Sequence, residues 1–273
     1  MPGTEEENVT SHGSAVLSPV LTPADSLLST YLCAKGATLS LLGGFDLQVD
    51  ERSVQLPRRA QRLLVFLALQ TRPLARAYVA DCLWLDASEG HAHGNLRSAL
   101  WKLGHAGCPL VAINAGCLSL DAGVTVDLHR SLHVAHRLLE GGRVLAGDDL
   151  NESLLVEDVL PDWSEEWVLE ERERYRQLRL HALELLCERL TSLRNFGHAV
   201  QTGLAAVAAE PLRESAQRVL IHAYLAEGNA CEARRQYARY QSLLSRELGQ
   251  EPSIEMRGLI AMGGDRVLDE VSL

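Results

Sequence analysis

The sequence is poor in the features that mark catalysis, secretion or membrane insertion. It contains no GxSxG, no Walker-type glycine loop and no HExxH, so a nucleophile elbow, a nucleotide cradle and a zincin site all lack a starting point. An enzyme is therefore not expected. No apolar run approaches the ~20 residues that a membrane-spanning helix needs. The six cysteines, Cys33, Cys82, Cys108, Cys117, Cys187 and Cys231, show no CxxC spacing, and no basic-then-apolar leader precedes them. That pattern argues against a secreted disulfide framework and for free thiols in a reducing cytoplasm.

The most informative absence is of negative charge. Between Gly90 and Leu120 there is no aspartate or glutamate, although 36 acids in 273 residues lead one to expect about four. A surface that has shed its anions in a chain of net charge −10 suits the approach of a phosphate backbone. Its fixed cations are few, Arg97 and Lys102, with His91, His93 and His105 beside them. Net charge divides unevenly along the chain: −3 over residues 1–35, 0 over 36–128 and −7 over 129–273. Such asymmetry fits a DNA-contacting domain joined to a protein-contacting one.

Residues 1–37 mix Glu5-Glu6-Glu7 with Ser, Thr, Pro and Gly and read as a disordered leader, with room for a short amphipathic helix from Asp25 to Leu32. From residue 38 strand-like runs begin: Leu39–Leu42, Asp46–Val49 and Ser53–Leu56, a small antiparallel sheet. Pro57 fits the first turn of a helix from Arg58 to Gln70, and a second helix runs from Ala75 to Trp84. A third, His91 to His105, should bury Leu96, Ala99, Leu100 and Leu103 and leave Asn95, Arg97, Ser98, Trp101, Lys102 and His105 on its other faces. Val111–Asn114 and Cys117–Leu120 pair as a hairpin across Ala115-Gly116. Strands, three helices and a terminal hairpin make a winged helix-turn-helix over residues 38–127.

After Asp127 the pattern becomes helical over 128–262, leaving 263–273 as a tail. The expected helices are Leu128–Leu139, stopped by Gly141-Gly142, then Ser164–Leu193, Phe196–Ala209, Leu212–Glu227 and Ala230–Leu248. In the long second helix Trp167, Tyr175, Leu178, Ala182, Leu186 and Leu193 recur at helical spacing, and Glu170 stands four residues before Arg174 as a surface pair. Asn195-Phe196-Gly197-His198-Ala199 and Asn229-Ala230-Cys231-Glu232-Ala233 are offset by 34 residues, the tetratricopeptide period. Ala199, Gly203, Ala206 and Pro211, then Ala233, Tyr237 and Tyr240, occupy that repeat's small-residue and packing positions. Stacked helix pairs present an interaction surface rather than a catalytic pocket.

Three segments carry a family resemblance: Leu160-Pro161-Asp162-Trp163, Trp167-Val168-Leu169-Glu170-Glu171-Arg172-Glu173-Arg174, and Leu244-Ser245-Arg246-Glu247-Leu248-Gly249-Gln250-Glu251-Pro252-Ser253. With Arg59-Ala60-Gln61-Arg62-Leu63-Leu64, Leu83-Trp84 and Asn95–Leu103, the chain from Leu39 to Ile260 resembles the SARP family of actinobacterial antibiotic regulatory proteins. These join a winged helix of OmpR type to a bacterial transcriptional activator domain. The resemblance implies a mainly α fold with a small β component and a transcription activator that binds promoter direct repeats and touches RNA polymerase or its sigma factor. It places Asn95, Arg97, Ser98, Trp101 and Lys102 in the major groove, with His105 on the same helix and the Asn114–Gly116 hairpin over a neighbouring backbone. Arg58, Arg59 and Arg62 would contact phosphates or face the polymerase.

The chain departs from the family in having Gly104-His105 where relatives often carry a further arginine, Ala75 where a serine often opens the second helix, and no cation in the hairpin. Fewer phosphate contacts lower the salt-dependent part of affinity, which favours binding as a homodimer or tandem dimer. A different organisation also fits the acidic total: a tetratricopeptide-like interaction or antagonist protein with a degenerate winged helix that no longer holds DNA. His91, His93, His105 and Cys108 offer zinc-type donors but match no finger spacing, and His129, His133 and His136 read as an amphipathic surface. No metal or cofactor is expected.

Overall fold

The computed structural model describes residues 36–140 and 155–269. The leader over 1–35, the Gly141-Gly142 stop and the last residues of the tail lie outside the described residues. Seven strands and nine helices are present among those described.

The chain enters through β1 (Ala37–Ser40), which pairs antiparallel with β2 (Asp46–Val49), and β2 pairs with β3 (Arg52–Ser53). Asp50 and Glu51 both sit at positive φ, 49° and 62°, the left-handed pair that a two-residue hairpin turn demands. The first strand is shifted from Leu39–Leu42, and the third is shorter than Ser53–Leu56. Leu41 and Leu42 are held otherwise: the Asp127 carboxylate accepts from their backbone N–H groups at 2.8 and 3.2 Å. Beyond Ser53 the chain turns inward to bury Leu56, and Pro57 has no N–H to extend a ladder.

Pro57 stands just outside α1 (Arg58–Ala68), its carbonyl accepting from Ala60 and Gln61. Leu63, Leu64, Val65, Phe66 and Leu67 are all buried, so α1 is the central helix of the first half. The following β4 (Leu74–Ala75) pairs with Cys117 and Leu118, and Ala75 therefore belongs to a strand; α2 begins one residue later (Arg76–Leu83). The third helix, α3 (Glu89–Leu103), starts and ends two residues before the expected bounds. It buries Ala92, Leu96, Ala99 and Leu103 and leaves Leu100 half-buried. The wing hairpin is β5 (Val111–Asn114) and β6 (Cys117–Leu120), and with β4 it forms a sheet of order β4-β6-β5. Next, β7 (Val124–Val126) runs parallel to β1 and completes the first sheet, β3-β2-β1-β7. Neither β4 nor β7 is expected from the sequence. This arrangement is a winged helix-turn-helix flanked by an N-terminal sheet.

From β7 the chain passes directly into α4 (Asp127–Leu139). Asp127 caps that junction, since its carboxylate also takes the N–H of Leu128 at 2.7 Å at the positive end of the helix dipole. Then come α5 (Glu166–Ser192), α6 (Phe196–Ala209), α7 (Glu214–Glu227), α8 (Ala230–Leu248) and α9 (Ile254–Asp269). Successive helices pack as antiparallel pairs in the tetratricopeptide manner, with Ala199, Gly203 and Ala206 buried where α6 meets its neighbours. At Gly203 an added Cβ would lie 3.1 Å from Leu220 Cβ and 3.2 Å from Cys187 Sγ, so a larger residue would push these neighbours by a few tenths of an ångström. Two expectations fail here. Leu193 lies past the end of α5 and is 69% exposed, and Arg174 pairs with Glu171 instead of Glu170.

One hydrophobic core runs through both halves. It gathers β1, β2 and the three winged-helix helices together with Val159, Leu160, Trp163, Val168 and Tyr175 of the segment leading into α5 and of α5 itself. A backbone bridge reinforces it: Leu160 N–H donates to Leu41 O and Gly43 N–H to Asp158 O, both at 2.8 Å. Arg172 closes the turn, donating to the carbonyls of Val159 at 2.7 Å and Trp163 at 2.8 Å, and to that of Leu160. Smaller clusters of buried side chains then fill the spaces between α4 and α7 and between α7 and α9.

Candidate nucleic-acid interface

The exposed side of α3 brings together most of the residues singled out from sequence. Burial of Leu96, Ala99 and Leu103 at helical spacing turns Arg97, Ser98, Trp101 and Lys102 outward. Neither Arg97 nor Lys102 has an ion-pair partner among the described residues. Trp101 is 58% exposed; its ring lies 4.3 Å from that of His105 and 4.8 Å from Lys102 Nζ. Exposing so much of a tryptophan forfeits burial that its area would otherwise contribute. The side chain is therefore available for contact. His105, just past the helix, binds the Trp101 carbonyl through Nδ1 at 2.7 Å, and Ser98 Oγ donates to Gly94 O at 3.0 Å. Asn95 is half-buried and accepts from Arg59 at 3.1 Å.

Arg59 thus joins the α3 set from the first turn of α1. Between the two helices lies a hollow of about 620 Å³ lined by Pro57, Arg59, Ala60, Arg97, Trp101 and Lys102 among others. No carboxylate lines it. Its two walls supply cations and its rim an aromatic face, a combination suited to a polyanion that carries flat bases.

The wing stands at the other side of α3. Ala115 and Gly116 take φ of 49° and 79°, a two-residue turn of the primed type, which puts Asn114 at the tip of β5. The alanine pays for its left-handed backbone with about 1–2 kcal/mol. Asn114, Ala115 and Gly116 are exposed, and Ile113 is 52% exposed. The wing carries no charged group.

Arg58 and Arg62 go elsewhere. Both reach Glu165, Arg58 with Nη2 at 3.0 Å and Arg62 with Nε at 3.4 Å, and the Arg58 guanidinium stacks 3.6 Å from the Trp163 ring centroid. These two arginines fasten the winged helix to the segment before α5. The sequence groups them with Arg59 and gives no hint of Glu165, because a partner more than a hundred positions away leaves no local trace. Asp127 did leave one: an acid in the first helical turn is a start signal.

Two of the histidines that the sequence singles out are held by hydrogen bonds within the protein. His91 Nδ1 shares a hydrogen bond with Ser88 Oγ at 2.7 Å and His129 Nε2 binds Ala68 O at 2.7 Å. Burial raises the Cys108 thiol, with Asp50 and Asp121 adding to the effect. Among the described residues no group of three or more His, Cys, Asp or Glu could hold a metal ion, and no helix is long and apolar enough to cross a membrane.

Comparison with known proteins fits this architecture. Residues 121–262 match the family described as the bacterial transcriptional activator domain. Among solved structures the chain is similar to Mycobacterium tuberculosis EmbR in complex with a low affinity phosphopeptide, at 20% identity and a TM-score of 0.61. The match covers 85% of this chain and 66% of that one, so the chain spans just under two thirds of the length of EmbR. At that identity the likeness is one of fold. No curated protein matches the sequence.

Proposed function

We propose that the chain, which belongs to the family of the bacterial transcriptional activator domain and is a SARP-type transcription regulator, activates transcription by binding promoter DNA and recruiting RNA polymerase. In this reading α3 enters the major groove, with Arg97, Ser98, Trp101 and Lys102 toward base edges and phosphates. Arg59 and His105 flank it, and Asn114 lies over an adjacent backbone. Arg58 and Arg62, held by Glu165, orient α1 rather than touch DNA. Direct repeats would seat a homodimer or tandem dimer, and the helical half would meet the polymerase or its sigma factor. The protein would act in the cytoplasm, at the nucleoid.

The observation that carries this reading is the unpaired Arg97 and Lys102 beside an exposed Trp101 on a face without carboxylates. Recruitment then adds a few kcal/mol to a polymerase–promoter complex that is otherwise sparsely populated. The uncharged wing favours a second reading, an interaction or antagonist protein that has given up DNA.

Fluorescence anisotropy on the upstream promoter fragment, over a series of low salt concentrations, separates the two. The Arg97→Ala/Lys102→Ala double variant should weaken binding by about 1–3 kcal/mol for each base-edge hydrogen-bonding pair it removes and flatten the salt slope by about 0.9 for each phosphate it leaves unneutralised. Equal affinity and equal slope for wild type and variant would remove DNA reading from the proposal.

A further inference from the structure

A groove of about 1360 Å³ runs along the seam between the winged helix and the activator helices. Phe66 of α1, Leu132 of α4, and Trp167 and Leu178 of α5 line it. At its lip Tyr78 is 50% and Leu85 81% exposed. Small-molecule sites are usually about 300–1,000 Å³, and this one is larger and open along its length. A helix about 10 Å across and roughly ten residues long, some 15 Å, fills a similar volume.

Among the described residues, the exposed charges that line the groove without an ion-pair partner are acidic. Asp86, Glu166 and Glu170 line it, are exposed, and have no ion-pair partner among the described residues. Its two arginines are already engaged, Arg62 with Glu165 and Arg174 with Glu171. Glu171 lies deeper, and burial raises its carboxyl even though Arg174 pulls the other way. The groove is thus short of cations. An acidic rim around an apolar floor repels nucleic acid and anionic peptides, and it is complementary to a basic amphipathic helix.

We propose that this groove docks a helical segment of a partner protein, apolar along one face and rich in lysine or arginine along its edges. The proposal rests on the reading of the chain as a regulator that works through protein contacts, and it locates that contact at the seam. Any helix seated there touches both the winged helix and the activator helices.

The test uses the full chain and a fluorescein-labelled peptide of about 16 residues built from Leu, Ala and Lys, with the leucines on one helical face, beside a counterpart with Glu in place of Lys. Anisotropy should show binding of the lysine peptide and none of the glutamate peptide. Leu85→Asp/Glu170→Lys changes two exposed side chains and should weaken binding at least about tenfold, with the circular dichroism spectrum unchanged. Glu247→Lys, an exposed reversal outside the groove, should leave affinity within about twofold. An equal loss from Glu247→Lys would reduce the effect to overall charge, and wild-type affinity in the groove variant would place the peptide elsewhere; either overturns the proposal. So would a wild-type dimer that Glu170→Lys converts to a monomer, since the occupant would then be a second copy. The groove variant should still bind promoter DNA like wild type, so failure here is distinguishable from failure of DNA reading.

Discussion

Replacing Arg172 by Met tests the claim that one side chain fixes the turn through which the helical half meets the first sheet. Its guanidinium donates to the carbonyls of Val159, Leu160 and Trp163, and Val159 and Leu160 are fully buried. Methionine keeps the length of the apolar stem and removes the donors. The Leu160 carbonyl keeps the Trp163 N–H at 2.9 Å, whereas those of Val159 and Trp163 lose the Arg172 donor at about 1–3 kcal/mol each. Leu160 also sits at φ 44°, a left-handed backbone that costs a residue with a Cβ about 1–2 kcal/mol and persists only where surrounding bonds over-determine it. Because the three bonds act on one turn, their losses do not add in full, and a total of about 3–5 kcal/mol is expected. At roughly 2–4 °C per kcal/mol for a domain of this size, the melting temperature should fall by about 10 °C. Scanning calorimetry gives the shift, and the fluorescence of Trp163, which closes the turn, and of Trp167, packed on it at 6.4 Å, shows whether the seam opens first. Arg172→Lys should recover less than half, since an ammonium cannot fork across several carbonyls. A Met variant within about 1 kcal/mol of wild type, or a Lys variant equal to it, would refute the reasoning.

Three further perturbations probe single features. Gly203→Ala gains helix propensity of about 1 kcal/mol, yet its Cβ would press on Leu220 and Cys187 at 3.1 and 3.2 Å, so urea midpoints should show a net loss of about 1–2 kcal/mol; a gain would mean that α6 and α7 separate freely. Ala115→Asn should raise the melting temperature by a few degrees, since asparagine tolerates the left-handed position before glycine in a primed turn, and an unchanged value would disprove strain at that position. For Glu184, burial raises the carboxyl, but hydrogen bonds from Arg213 and Ser215 and the Arg213 charge outweigh it, so the folded value is lowered from 4.5. The sign follows: this stability is present above about pH 4.5 and is lost as pH falls through the lower folded value. Denaturation curves of wild type and Glu184→Gln should therefore converge toward low pH, and a gap that widens on acidification would contradict the assignment.

The elements that could be read from sequence are those whose signals are local. The bounds of α6 and α8 emerge as expected because Asn195 and Asn229 mark their starts and each helix buries its small residues within one stretch. Likewise, the wing follows from two short apolar runs across Ala115-Gly116. By contrast, β4 and β7 have two and three residues, too few for a period, and exist because Leu74 meets Leu118 and Ala37 meets Val124. Leu193 continues the spacing of α5, but Leu190 and Thr191 already close the buried face. The arginines show the limit most clearly. Arg58, Arg59 and Arg62 are equivalent as letters, yet Glu165 and Trp163 capture two of them while Arg59 reaches Asn95. Only the fold decides which stays beside α3.

That division also determines how the proposed recruitment would depend on DNA geometry. The first turn of α1 carries Arg58, bound to Glu165 ahead of α5, and next to it Arg59, bound to Asn95 on α3. Leu41 and Gly43, just past β1, are bridged to Leu160 and Asp158, and a single core spans both halves. Among the described residues, the direct passage from β7 to α4, the backbone bridge and the shared core favour one angle between the winged helix and the helical half. A rigid linkage yields a high effective concentration for one relative placement and almost none for others. Moving the binding repeats by about half a helical turn, roughly 5 base pairs, should thus abolish activation of a reporter, whereas a full turn of about 10.5 base pairs should restore part of it. DNA affinity, measured on the same fragments, should not change. If activation instead falls smoothly with distance and shows no phase, the two halves move independently during recruitment, and the seam between them does not hold one orientation at the promoter.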